Sequence, residues 1–206
     1  MILEEARIGE RAFSSLLSEL EIDVFFTLAP EEIAAVCDRR GALNRLGLAL
    51  HLCVVEMTGR ADLSTKMVPQ AVLIHVVAQL YVSSPNLASL RSLYQDRSTL
   101  FRHRKLAVEL AGFRKAGAGA RSGLLQYLRQ EILATTEVDV LRGKVLRWLH
   151  ARKYLLYPAR DIRSLVRREV ERRDKKLAVF IDGAEGSKSC LWVEDGDRSR
   201  TGFNAV

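Results

Sequence analysis

Residues 39–53 read RRGALNRLGLALHLC: two arginines and a glycine stand before an almost unbroken apolar run. No proline interrupts it, and apolar residues fall on every side of a helical projection. That pattern predicts a helix over 43–56, buried all round at the centre of its subdomain. At about 100° per residue, Asn44 and His51 fall on nearly one line, with Gly47 beside them, and Arg45, Leu52 and Glu56 share another. The greasy helix therefore carries a narrow polar stripe that begins at its N-terminus. Two readings follow. In the structural one, Asn44 caps the turn, Arg45 pairs with Glu31 or Glu32, and Gly47 is a packing contact. In the functional one, the free N-terminal N–H groups and Arg39, Arg40 and Arg45 grip a phosphate, and Gly47 admits a neighbouring backbone.

Outward from this helix the chain reads as all-α. A first amphipathic helix is expected near 2–20. The TLAPEE run at 27–32 places Pro30 in the first turn of a helix ending near Arg39, with Glu31 and Glu32 at its positive end and Gly41 as a left-handed cap. A loop over 57–68 leads to an apolar helix from Pro69 to about Val82. The SSPN at 83–86 is a break. Helices follow near 87–94, 97–111, 121–134, 137–153 and 159–179. The glycine-rich 113–123 is a mobile linker or a loop that orders on a partner. The subdomains expected are 1–84, 85–180 and an irregular tail over 181–206, which is rich in Gly, Ser and Asp. The first two read as helix-turn-helix-like units.

Composition narrows the function classes. The net charge of +7 conceals an asymmetry. Residues 1–90 hold 7 Lys/Arg against 11 Asp/Glu, and residues 91–180 hold 22 against 9. Such a basic block suits a polyanion, or else is simply a soluble surface. Cys37, Cys53 and Cys190 have neither zinc nor redox spacing, so reduced thiols in a cytoplasmic protein are expected. The apolar runs at 46–55 and 71–82 are too short to span a bilayer, so no membrane is expected. No phosphate-binding glycine motif or nucleophile motif occurs, and the four histidines lack ligand spacing. No cofactor, metal or catalytic residue is assigned.

Two basic constellations remain. Arg97, Arg102, His103, Arg104 and Lys105, followed by Arg114 and Lys115, lie where a short helix, a break and a basic helix outline a helix-turn-helix. They serve either as DNA contacts or as a solvated face. The second constellation, 147–176, holds Arg167–Glu171 and Glu171–Lys175 at i,i+4 and reads as a salt-bridged exposed helix.

The run Arg39-Arg40-Gly41-x-x-Asn44-Arg45-Leu46-Gly47-x-Ala49-x-x-Leu52-Cys53 resembles the N-terminal region of the large replicative transposases of the Tn-three family. FFTLAPEEIAAV before it is similar to that family, as are Thr99, His103, Glu109, Leu110, Gly112 and Phe113 after it. So is the helix pair over 124–157. Coverage is about 24–180. The resemblance implies an all-helical region that binds the transposon's terminal inverted repeats as double-stranded DNA. Arg39, Arg40, Asn44, Arg45 and the 97–115 basic residues are its candidate contacts. It implies a truncated transposase lacking the magnesium-dependent acidic triad, and hence no strand cutting by this chain alone. Self-association, or association with a full-length transposase without touching DNA, is the alternative; a non-functional remnant is another. Departures from the family pattern are Glu56-Met57-Thr58-Gly59 after the cysteine, His51 where glutamine is common, and Leu100-Phe101 where two arginines are common. The tail from about 178 shares no resemblance.

Overall fold

The computed structural model describes residues 8–9, 17–62, 68–82 and 87–194, with side chains up to 181 apart from Leu87. Among the described residues all regular structure is helical: α1 (Glu19–Phe26), α2 (Pro30–Cys37), α3 (Ala42–Thr58), α4 (Gln70–Leu80), α5 (Leu87–Leu93), α6 (Arg97–Leu110), α7 (Ala118–Glu131), α8 (Val138–Ala151) and α9 (Ala159–Glu194). The all-α expectation is borne out. The expected helix at 2–20 and the SSPN break lie outside the described residues.

Local chemistry explains the boundaries. α1 opens on a capping box, in which the Ser18 hydroxyl accepts from the Glu21 amide and the Glu21 carboxylate accepts from the Ser18 amide. Pro30 starts α2, and the Glu32 carboxylate accepts from the Ala29 amide at 2.7 Å. Gly41 is not the left-handed end of α2; it stands at the N-cap of α3 with φ 87° and ψ 131°. Gly59 closes α3 in the left-handed region, and Gly112 follows α6 with φ 69°.

Two hydrophobic cores form. The first surrounds α3, where Leu46, Leu48, Leu50 and Leu52 are fully buried with Phe26, Leu73, Val76 and Leu90. Gln79 locks α4 to the end of α1: its amide donates to Phe26 O and its carbonyl accepts from the Leu28 amide, both at 2.7 Å. Ala107, Ala111 and Phe113 also belong to this core. Thus α5 and α6 pack on α3, and the first core runs past the boundary expected at 84/85. Charge changes sign there, but the apolar face of α6 has no other place to bury. The second core joins α7, α8 and the start of α9 through Leu124, Leu128, Leu141, Val145, Leu149, Ile162 and Val166.

A seam joins the cores. Arg114 donates its amide to Lys153 O and accepts from the Leu155 amide, each at 2.9 Å. His150 Nε2 donates to Glu56 O at 2.6 Å, and the Leu156 amide donates to Gly59 O at 3.0 Å. The segment expected as a mobile linker is therefore bonded at Arg114, with Gly117 at the N-cap of α7 and Gly119 and Gly123 inside that helix.

The tail also departs from expectation. α9 continues to Glu194, beyond the change in composition near 180. Gly183 and Gly186 each cost about 1 kcal/mol relative to alanine in a helix interior, but they extend a helix already nucleated on the second core. Leu177, Val179, Phe180 and Ile181 are exposed, so this part leaves the packed body. The i,i+4 pairs Arg167–Glu171 and Glu171–Lys175 do not form. Glu169 is buried instead, 3.0 Å from Arg129 and 4.0 Å from Arg172.

Candidate nucleic-acid interface

The turn before α3 is held by its own side chains. Arg45 Nε donates to Arg39 O at 2.8 Å, and Asn44 Nδ2 donates to Arg40 O at 3.0 Å. Arg45 is thus a brace for the turn and pairs with neither Glu31 nor Glu32. The bracing presents Arg39 and Arg40 outward. Arg39 makes an exposed 3.3 Å contact with Asp38, and Arg40 has no side-chain partner among the described residues. α3 begins without a side-chain cap.

α6 packs across α3 and faces this turn. Asp96 caps it by accepting from the Ser98 and Thr99 amides and from the Thr99 hydroxyl. Those bonds from Thr99 and Ser98 hold the Asp96 carboxyl down at about 2. Thr99 Oγ1 accepts in turn from Arg102 Nη2 at 3.0 Å, which orients that guanidinium. Arg39, Arg40, Asn44, Leu93, Thr99, Arg102, His103 and Leu106 line one pocket of about 320 Å³. Five of the eleven residues singled out from sequence meet there, from segments about sixty residues apart. Three of those five are arginines, and no acidic side chain lines the pocket.

Behind the pocket lies a buried polar group. His51 is fully buried and His103 is 7% exposed. The Tyr94 hydroxyl lies 3.0 Å from His103 Nδ1, and the rings of His51, Tyr94 and His103 meet edge to face with centroids 5.3–6.4 Å apart. Gly47 makes room for this group. A Cβ there would overlap the Tyr94 hydroxyl and lie 3.2 Å from His103 Nδ1. The close approach anticipated at Gly47 is thus to a side chain rather than a backbone. Burial, with help from His103 and Arg104, lowers His51 to about 3. His103 is also lowered, first by burial and then by Arg102 and Arg39. Both rings are neutral near neutral pH.

The remaining sequence candidates divide. Arg97, Arg102 and Lys105 lie on the exposed face of α6 with Phe101, which is 69% exposed. Arg104 does not join them; it is half-buried toward His51 and Tyr94, with its Nε enclosed and unpartnered. Arg114 lies beyond the other end of α6, its guanidinium 4.9 Å over the Tyr154 ring, and Lys115 follows it in solvent. Tyr127, Trp148 and Tyr154 stack on the second core, with Arg152 4.2 Å over Trp148. Tyr94, Tyr127 and Tyr154 escaped the sequence reading because isolated aromatics carry no periodic signal. Among the described residues no group of three metal-ligating side chains gathers, and no helix is long and apolar enough to cross a membrane.

Comparison with known proteins gives a consistent result. Residues 4–168 match the family described as "Domain of unknown function (DUF4158)". Over 159 residues, 77% of the chain, it is 33% identical to the transposase for insertion sequence element IS1071 in transposon Tn5271 of Comamonas testosteroni. It is also 27% identical over 163 residues, 78% of the chain, to the transposase for transposon gamma-delta of Escherichia coli strain K12. In both cases the chain spans 16% of the relative's length. The resemblance drawn from the residues around 39–53 is borne out by these matches.

Proposed function

From the premise that this chain belongs to the DUF4158 family and corresponds to an N-terminal region of Tn-three family transposases, we propose that it recognises DNA in transposition. Its target is the duplex of the transposon's terminal inverted repeats. The outer face of α6, with Arg97, Phe101, Arg102 and Lys105, enters a groove. Arg39 and Arg40 hold the adjoining backbone. Strand cutting is assigned to parts of such transposases that this chain does not match.

One observation carries this reading. Arginines from the acidic half and from the basic half converge at one end of α6 in a pocket with no acidic lining. Like charges gathered at a surface repel one another, so an arrangement of this kind is stabilised by an anion. A mobility-shift titration of the full chain tests it, using duplexes carrying the flanking inverted repeats and scrambled controls. Preference for the repeats, with affinity falling steeply as salt rises, is expected. Equal binding to both refutes repeat recognition, and no binding at low salt refutes the DNA reading.

A second reading has support from α9. Leu177, Val179, Phe180 and Ile181 expose apolar surface, which suits association with an intact transposase or with a second copy. Co-purification that survives nuclease treatment, without a DNA shift, favours that reading.

A further inference from the structure

Within the DNA reading, on which this inference rests, the pocket has a chemistry of its own. Its wall includes His103, a residue more than nine-tenths buried whose Nδ1 is already engaged by Tyr94. The direction of that bond follows from satisfiability. Tyr94 has no other hydrogen-bond partner among the described residues. If Nδ1 carried the proton, the half-buried tyrosine O–H would have no protein acceptor among the described residues. The hydroxyl therefore donates to Nδ1, and the ring proton sits on Nε2. That Nε2 has no protein partner. Unlike both nitrogens of His51, it is not sealed from solvent. Arg40 is also without a partner, and Arg102 is steered by the Thr99–Asp96 relay.

We propose that this pocket seats one phosphate group, on the DNA reading a single backbone phosphate. Arg40 and Arg102 supply the charge, and His103 acts as a neutral donor through Nε2–H. Tyr94 is a positioning residue that fixes the tautomer, and Gly47 gives it the room to do so. The seat therefore works without protonating His103. A cationic histidine between Arg39 and Arg102 would be disfavoured, whereas a neutral N–H adds a hydrogen bond at no charge cost.

The test uses the full chain and a fluorescent mixed-sequence duplex, titrated by anisotropy at several salt concentrations. Each neutralised phosphate contributes about 0.9 to the slope of log affinity against log salt. Arg40→Ala/Arg102→Ala should lower the slope by about 0.9, one phosphate. A fall of about 1.8 means two separate phosphates and overturns the single seat. Arg160→Ala removes an exposed charge elsewhere, on α9, and serves as the comparison. Nitrogen-15 spectra should show His103 as the Nε2–H tautomer, with that signal moving on addition of duplex or of inorganic phosphate. Tyr94→Phe should mix the tautomers and weaken duplex binding about twofold, the loss expected when only about half the molecules present the Nε2–H donor. If the wild type binds duplex and the Arg40/Arg102 variant matches Arg160→Ala in slope and affinity, the seat is wrong and the DNA reading stands. If the wild type binds no duplex while inorganic phosphate still moves the His103 signal, the seat stands and the DNA reading falls. An Nδ1–H tautomer in the free protein overturns the neutral-donor assignment.

Discussion

Gly47→Ala is expected to destabilise the protein, although helix propensity argues the other way. At an interior helical position alanine is favoured over glycine by about 1 kcal/mol. Here the added methyl would overlap the Tyr94 hydroxyl and press on His103 Nδ1 and Tyr94 Cζ, each at 3.2 Å. Overpacking of this kind costs about 1–3 kcal/mol. Displacing the hydroxyl also breaks its 3.0 Å bond to His103, for about 1 kcal/mol more. The net loss is about 1–3 kcal/mol. For a 206-residue chain each kcal/mol moves the thermal midpoint by about 2–4 °C. Tyr94→Phe removes the overlapping oxygen and leaves the two 3.2 Å contacts. In that background Gly47→Ala should destabilise less than it does in the wild type, and the difference is the coupling between the sites. Urea unfolding followed by circular dichroism on the four proteins measures this. A Gly47→Ala protein more stable than wild type, or two penalties that simply add, would refute the reasoning.

Further expectations follow from other contacts. His51 titrates near 6.5 when unfolded but at about 3 when buried, so the unfolded chain takes up a proton that the folded one refuses. Stability should therefore fall as pH drops from about 6.5 toward 3, with a slope of up to ~1.4 kcal/mol per pH unit. His51→Leu should flatten that profile without loss at neutral pH, since neither ring nitrogen has a partner to lose; an unchanged profile in urea unfolding counts against the assignment. Arg129→Ala strands the Glu169 carboxylate, whose side chain is 5% exposed with Arg172 at 4.0 Å as its remaining neighbour. It should cost about 1–3 kcal/mol, and Arg129→Ala/Glu169→Leu should recover most of it. Arg97→Ala and Lys105→Ala should each weaken duplex binding and reduce the salt slope by about 0.9, whereas Arg104→Ala, on the enclosed side of α6, should leave the slope unchanged. Equal effects from all three would remove the outer-face assignment.

How much was legible depended on the kind of signal. Apolar spacing showed α3 as a helix buried all round, and Pro30 carried local start chemistry that survives in any context. α1 was missed because its Ser18–Glu21 capping box is a short local signal at the edge of the helix expected near 2–20. α9 was shortened because Gly183 and Gly186 weaken propensity, while a helix already anchored by Ile162 and Val166 runs through them. At the site, residue type was readable but direction was not. Arg104 and Lys105 are neighbours in sequence, yet a rotation of about 100° sends one toward Tyr94 and the other to solvent. Arg45 reads like Arg40 and serves to brace the turn. The meeting of Asn44 with His103 is a tertiary fact, set by α6 lying across α3 with Gly47 at the crossing.

That crossing gives α3 two tasks at opposite ends. Its N-terminal turn carries Arg39, Arg40 and Asn44 toward α6, and its C-terminal end receives the second core through the Glu56 and Gly59 carbonyls. The seventeen residues between span about 25 Å, and twelve of them are buried. A rod so enclosed has little freedom to bend, so the pocket on the first core and the Arg114–Tyr154 and Arg152–Trp148 pairs on the second keep a fixed separation. A site supported in this way holds its groups more closely than one carried on loops. Sequence-selective binding to a duplex asks for that rigidity, because a backbone phosphate locked in one seat sets the register in which the outer face of α6 meets the bases. On the proposed DNA reading the Tyr94–His103 bond serves register control as well as the core, and loosening it should blur discrimination between duplexes before it abolishes binding.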